Sequence, residues 1–258
     1  MNYYNEYDAK TAAWLRELIK TGAIPDGDVD ERSIVDVKPD DLKGYTQCHF
    51  FAGIGGWSYA LQLAGWPADR PVWTGSCPCQ PFSVAGKGKG VEDERHLWPV
   101  FAELIQACKP PTVFGEQVAS KAGRNWLAGV FADLEGMGYS RAGADLCAAS
   151  KAAPHPRQRL FWVADANSEL HIGGVRPSSR GAREVPSIWE SSEIFQKGQG
   201  RVDELVARRV TERVSSYAEA RSVLHGLPAR MEQMRGAGNA IVPQVAAEFI
   251  AAFQDSTF

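Results

Sequence analysis

Four short apolar runs, each ending abruptly in glycine or in unusual polar residues, constrain the fold of this chain more than any other feature. They are CHFFAGIGG (48–56), VWTGSCPCQ (72–80), TVFGEQV (112–118) and QRLFWVA (158–164). Stretches with helical periodicity alternate with them. Trp57–Trp66 spaces Tyr59, Leu61, Leu63 and Ala64 for a buried face, and Leu97–Ala107 does the same with Val100, Phe101, Leu104 and Ile105. A third such stretch is Trp126–Glu135. Apolar runs alternating with amphipathic helices predict an α/β protein whose mostly parallel, doubly wound sheet is covered on both faces. Ligands bind such sheets at the carboxyl ends of the strands. The odd residues here all fall at those ends, so function is expected there.

The proportions are globular: 258 residues, 44% apolar and 23% charged, which excludes collagenous, disulfide-scaffold and mainly disordered chains. A net charge of −3 gives no global positive field for nucleic acid. Counted by segment, however, residues 1–45 carry 6 basic against 10 acidic side chains, and residues 151–235 carry 14 against 10. The basic excess lies late in the chain. Five scattered cysteines form no framework, and the start, MNYYNEYDAK, is polar and acidic. No apolar run reaches the roughly 18 residues of a membrane span. A reduced, cytoplasmic protein without a membrane partner is expected.

The expected organisation is a catalytic and cofactor-binding domain over 1–166, a short irregular region over 167–224 and a C-terminal segment over 225–258 that packs back on the first. The middle region is rich in Ser, Gly, Arg and Glu and has no core-forming periodicity. Periodicity resumes in NAIVPQVAAEFIAAF (239–253), a helix predicted to start near Pro243.

The run ends carry the chemistry. FAGIGG (51–56) is a glycine turn between strand and helix, either a tight connection or a loop whose backbone N–H groups approach a ligand. In GSCPCQPFS (75–83), Pro78 and Gln80 hold Cys79 in a rigid loop suited to a thiolate nucleophile; a metal pair with Cys77 and a buried thiol are the alternatives. GEQV (115–118) sets Glu116 inside an apolar run, an expensive place for a carboxylate, for catalysis or for pairing with an arginine. HPRQR (155–159) projects Arg157 and Arg159 to one face of an extended segment, as site residues or as a solvated edge.

In this order, FAGIGG, PCQPFS, the glutamate of EQV and the paired-arginine strand resemble the cytosine-5 DNA methyltransferase family. GNAIVPQVA (238–246) resembles that family's closing motif, and SVAGKGKGVEDERHLW (83–98) resembles its catalytic loop. The resemblance implies a Rossmann-like class I methyltransferase fold, S-adenosyl-L-methionine as cofactor and double-stranded DNA with a flipped-out cytosine as substrate. It implies no metal and no obligate protein partner. Cys79 would attack ring carbon 6, Glu116 would meet ring nitrogen 3, and Arg157 and Arg159 would orient both base and Glu116. Phe51, Ala52, Gly53, Ile54, Gly55, Gly56, Pro78, Asn239 and Ala240 would line the cofactor site. Gln80, Ser83, Lys87, Lys89 and Arg95 would meet DNA. His155 stands where the family's arginine strand usually opens with glutamine. The region 167–224 takes the place of the family's target-recognition domain, with seven arginines between Arg176 and Arg213. RNA cytosine methylation and a catalytically idle DNA-binding relative are the alternative functions.

One spacing departs from the family. Only about two dozen residues separate FAGIGG from PCQ, where the family holds two further strands that carry cofactor-binding acids. Those pieces resemble the N-terminus: YYNEYDAKTAAWLRELI (3–19) and DGDVDERSI (26–34). A circular permutation is expected, in which Glu6 meets the ribose hydroxyls, Tyr7 the adenine face, and Asp28 with Val29 the adenine edge. Asp30 is a rival for Asp28. The alternative is that residues 1–45 form an unrelated acidic arm lying off the sheet.

Overall fold

The N-terminal segment is built into the sheet. The computed structural model describes residues 1–78, 97–147, 158–166 and 241–256. Strand β1 (Asn2–Asn5) leads into helix α1 (Ala9–Lys20), which Asp8 caps by accepting the Thr11 N–H at 2.8 Å. Strand β2 (Gly27–Asp30) follows and pairs parallel with β1, with Gly27 opposite Asn2. A Cβ at Gly27 would lie 2.3 Å from the Asn2 carbonyl oxygen, so the strand can close only on glycine there. Next come β3 (Gln47–Phe50), α2 (Gly56–Leu63), β4 (Val72–Gly75), α3 (Trp98–Cys108), β5 (Thr112–Val118) and α4 (Lys121–Gly136). The described chain ends with β6 (Ser140–Cys147), β7 (Gln158–Asp165) and α5 (Pro243–Ser256).

The seven strands lie in the order β2-β1-β3-β4-β5-β7-β6, with β1 to β5 parallel and β7 antiparallel to both its neighbours. If β3 is counted as strand one, β1 as two and β2 as three, the first five places read 3-2-1-4-5, the doubly wound order. Chain order is thus rotated against an unchanged sheet order. Residues 1–30 are not an arm.

Strand register assigns the two faces. The row Tyr3, Cys48, Trp73, Val113, Ala164 packs under α3 and α4 in one core. The next row, Tyr4, His49, Thr74, Phe114, Val163, faces the opposite side, where α1, α2 and α5 lie. Aromatic rings replace absent side chains at two strand glycines: Phe101 lies over Gly75 and Trp162 over Gly115. Two local expectations need correction. Tyr59 and Leu63 of α2 are exposed, because Trp57, Ala60 and Leu61 form its buried face. Strand β6 was not anticipated, since SRAGADLC lacks the bulky apolar alternation of a strand; it forms by pairing along all of β7. Among the described residues no helix is long and apolar enough to cross a membrane.

The second row contains an uncommon group. His49 is 1% exposed; its Nδ1 lies 2.9 Å from Thr74 Oγ1, its ring stacks on Tyr4, and its Nε2 has no partner among the described residues. Burial pushes its pKa down from 6.5 to about 3, so it folds neutral. An unfolded chain binds that proton at higher pH than the native one. Stability from this site is therefore complete above about pH 6.5 and is lost as pH falls toward 3. The slope reaches roughly 1.4 kcal/mol per pH unit inside that window. Denaturant titrations from neutral pH down to about pH 4 are expected to show this fall, and His49→Asn to flatten it by one proton. An unchanged slope in the variant would assign the acid sensitivity to other groups.

Candidate active site

The glycine loop between β3 and α2 is shaped by three left-handed residues, Phe51 (φ 52°), Gly53 (φ 56°) and Gly55 (φ 75°). Gly55 is the N-cap of α2, and a Cβ there would lie 2.9 Å from Ile24 Cδ1. At Gly56 a Cβ would lie 2.9 Å from Ile241 Cγ1. These two are glycines for packing. Gly53 differs: among the described residues an added Cβ would meet only the Phe51 carbonyl oxygen, at 4.0 Å. The tight-connection reading of FAGIGG thus holds at Gly55 and Gly56.

Glu6 follows the carboxyl end of β1 and reaches this loop. Its carboxylate accepts the Gly53 N–H at 2.7 Å through one oxygen and the Asp8 N–H at 2.9 Å through the other. Ala52 N–H donates to the Asn5 carbonyl at 2.9 Å, so the loop is stitched to β1 by backbone as well. Beside it, Tyr7 is 76% exposed, an unusual state for a large ring.

The two acids of β2 have separate employments. Asp28 is exposed and accepts the Tyr45 hydroxyl. Asp30 stands at the strand end and accepts from Tyr3 at 2.7 Å and from Arg32 at 2.7 Å; Arg32 also reaches Asp41 at 3.0 Å. Burial works against the Asp30 charge, but the Arg32 and Tyr3 hydrogen bonds outweigh it and hold its carboxyl below the usual range. Val29 points to the other face and packs with Tyr4, Leu15 and Ile24.

At the sheet centre, Gly75 of β4 pairs with Gly115 of β5, so the chain leading to Pro78 leaves the sheet next to Glu116. Glu116 is 8% exposed, and Arg159, at the start of antiparallel β7, donates through Nε to its Oε1 at 2.7 Å. Register explains the meeting. Arg159 lies opposite Val118, two residues from Glu116 and on the same face. Cys77 is buried, and burial pushes its thiol well up, so it stays protonated. No group of three potential metal-ligating side chains occurs among the described residues. The structure thus brings together Glu116 with Arg159, and Glu6 with the glycine loop. Cys79, Gln80, Ser83, Lys87, Lys89, Arg95, His155, Arg157, Asn239, Ala240 and the region 167–240 lie outside the described residues.

Two contacts beside the site carry no signal in one sequence. Trp57, directly after the loop, donates its indole N–H to Ser76 at 2.9 Å, and Ser58 shares a 3.0 Å hydrogen bond with the Tyr4 hydroxyl. Neither partner is legible before the strands are aligned.

Known proteins resemble this chain in the same terms. It is 36% identical over 95 residues to the Type II methyltransferase M.AplI of Arthrospira platensis, covering 36% of this chain and 28% of that one. To the Type II methyltransferase M.HhaI of Haemophilus parahaemolyticus it is 27% identical over 178 residues, 54% of each chain. The chain spans about half the length of these curated relatives, or less. Among solved structures, that of the S. pombe Dnmt2 methyltransferase matches over the whole of both chains with a TM-score of 0.50 at 14% identity, a likeness of fold. The sequence model for C-5 cytosine-specific DNA methylase matches residues 66–223, more than half of the chain. With Glu116 and Arg159 paired at the ends of adjoining strands, this chain belongs to the C-5 cytosine-specific DNA methylase family.

Proposed function

We propose that the chain transfers a methyl group to carbon 5 of cytosine in double-stranded DNA. The observation that carries this reading is the buried Glu116–Arg159 pair, set beside the strand end from which Pro78 and Cys79 follow. A fixed carboxylate there suits recognition of a base, and the cysteine that follows the neighbouring strand in sequence would be the group that adds to it.

The residues fit S-adenosylmethionine. A carboxylate matches a pair of vicinal ribose hydroxyls, and Glu6 stands at a strand end against the glycine loop. The exposed Tyr7 ring supplies a flat surface for a purine, and Asp28, exposed and holding the Tyr45 hydroxyl, suits the adenine amino group better than Asp30, which Tyr3 and Arg32 already occupy. Residues 1–45 would thereby provide the second and third cofactor motifs, and 167–224 the recognition of DNA. Bound there, the cofactor supplies an electrophilic methyl group on a sulfonium centre.

Cytosine carbon 5 is too weak a nucleophile to react unaided. The Cys79 thiolate adds to carbon 6, forming the S–C6 bond and moving the electron pair toward carbon 5. Glu116 meets ring nitrogen 3 and stabilises the charge that develops there, while Arg159 fixes the glutamate's orientation. After the methyl group is in place, loss of the carbon-5 proton to a base restores the ring double bond and expels Cys79. The target carbon is inaccessible inside a duplex, so the base must be flipped out. Transfer of labelled methyl from the cofactor to double-stranded DNA, with bisulfite sequencing of the product, tests the reading. Protected cytosines in a fixed sequence context are expected. Label appearing only in RNA, or in neither, would overturn it.

A further inference from the structure

Trp57 sits where three parts of the site meet. It is the second residue of α2, directly after the glycine loop, and is 4% exposed. Its ring stacks on Phe114 (6.1 Å between centroids, 24°) and meets Phe161 edge-on at 6.0 Å. Phe114 lies two residues before Glu116 on the same face of β5, and Phe161 is the register partner of Glu116 on β7. The indole therefore rests on the two rings that bracket the carboxylate along and across the sheet. Its N–H donates to Ser76 Oγ at 2.9 Å, the first residue beyond β4 and three before Cys79.

Packing alone does not call for this arrangement. A phenylalanine would fill the aromatic layer between α2 and the sheet without a polar atom, whereas a buried indole N–H needs an acceptor. The hydroxyl that answers it belongs to the chain leaving β4, at a strand end where the ladder no longer fixes the backbone.

We propose that Trp57 is a positioning residue for methyl transfer, its indole N–H anchoring Ser76 so that the chain leading to Pro78 and Cys79 leaves β4 in fixed relation to Glu116. The proposal rests on the function proposed above. It assigns Trp57 and Ser76 no contact with base or cofactor. The anchor also links the glycine loop to the nucleophile's strand through one side chain, since Trp57 follows Gly56 directly.

The test uses the full chain and compares the parent with Trp57→Phe, Ser76→Ala, Ser76→Thr and the double variant Trp57→Phe/Ser76→Ala. Steady-state transfer to double-stranded DNA gives kcat and KM, calorimetric titration gives cofactor affinity, and thermal unfolding gives the midpoint. Removing either end of the hydrogen bond is expected to lower kcat roughly tenfold, since misplacing a reacting group by a fraction of its contact distance loses rate rather than binding. Cofactor affinity and KM for DNA are expected to stay within about twofold. Ser76→Thr keeps the hydroxyl and is expected to restore the rate, and the double variant to fall no further than either single one. Ser76→Ala decides the matter if Trp57→Phe folds poorly. Parent-like kcat in Ser76→Ala would overturn the proposal. So would additive losses, or a loss matching a lower midpoint or weaker cofactor binding. An inactive parent would remove the functional reading and the proposal together, and is distinguished because every other outcome is measured against an active one.

Discussion

Cys79→Ser is expected to lower methyl transfer to DNA by on the order of 10⁴-fold or more, because the proposed mechanism forms the covalent bond to carbon 6 through this thiol. A serine hydroxyl at the same place is a far weaker nucleophile at neutral pH than a thiolate, and the carbon-5 position stays unreactive without the addition. The contrast with Cys77 makes the expectation specific. That side chain lies two residues earlier and is 6% exposed, and burial keeps its thiol protonated. Cys77→Ser should therefore change stability modestly and leave the rate near the parent's. Labelled-methyl transfer measured for both variants at saturating cofactor gives the comparison. Comparable rates for parent and Cys79→Ser would exclude covalent attack by this residue.

Glu116→Gln is expected to lower kcat by roughly 10²- to 10³-fold. Glutamine keeps the size and one acceptor oxygen, so the fold around β5 should survive, but it loses the charge and the capacity to exchange a proton with the ring nitrogen. Arg159 would then lose the counterion 2.7 Å from its Nε. The two side chains are 20% and 11% exposed for Arg159 and Glu116, so solvent screens this pair only partly. A moderate fall in the thermal midpoint should accompany the loss of rate. The discriminating result is the split: a rate loss far larger than the fall in stability, with DNA binding retained. Equal losses in all three would make Glu116 a structural carboxylate.

Much of this site was legible because its residue types are unusual for their places. A glutamate inside TVFGEQV has few reasons to be buried, and the strand Thr112–Val118 and its partner Arg159 follow that expectation. The N-terminal segment was legible through spacing, because the interval between FAGIGG and PCQ holds α2, β4 and little more. The same rotation of chain order accompanies a colinear family match that begins only at residue 66, after the glycine loop. What failed to show had a common cause. The buried residues of strand β6, Ala144 and Leu146, gain their burial from Phe161, Val163 and the C-terminal helix on the same face. Tyr59 and Leu63 have the spacing of a buried face, yet Trp57 and Ala60 take it, because the C-terminal helix packs on that side of α2. Such choices are made by partners distant in the chain, which local pattern does not contain.

The contact between Gly56 and Ile241 joins segments that are far apart in the chain. The entropy lost in closing so large a loop grows only slowly with its length, each doubling adding about 0.6 kcal/mol. The sheet and its final helix are thus nearly indifferent to the amount of polypeptide inserted between them. If residues 167–224 read the target sequence as proposed, one reader can be exchanged for another there, like a tool head on a common handle, with the sheet and its last helix kept.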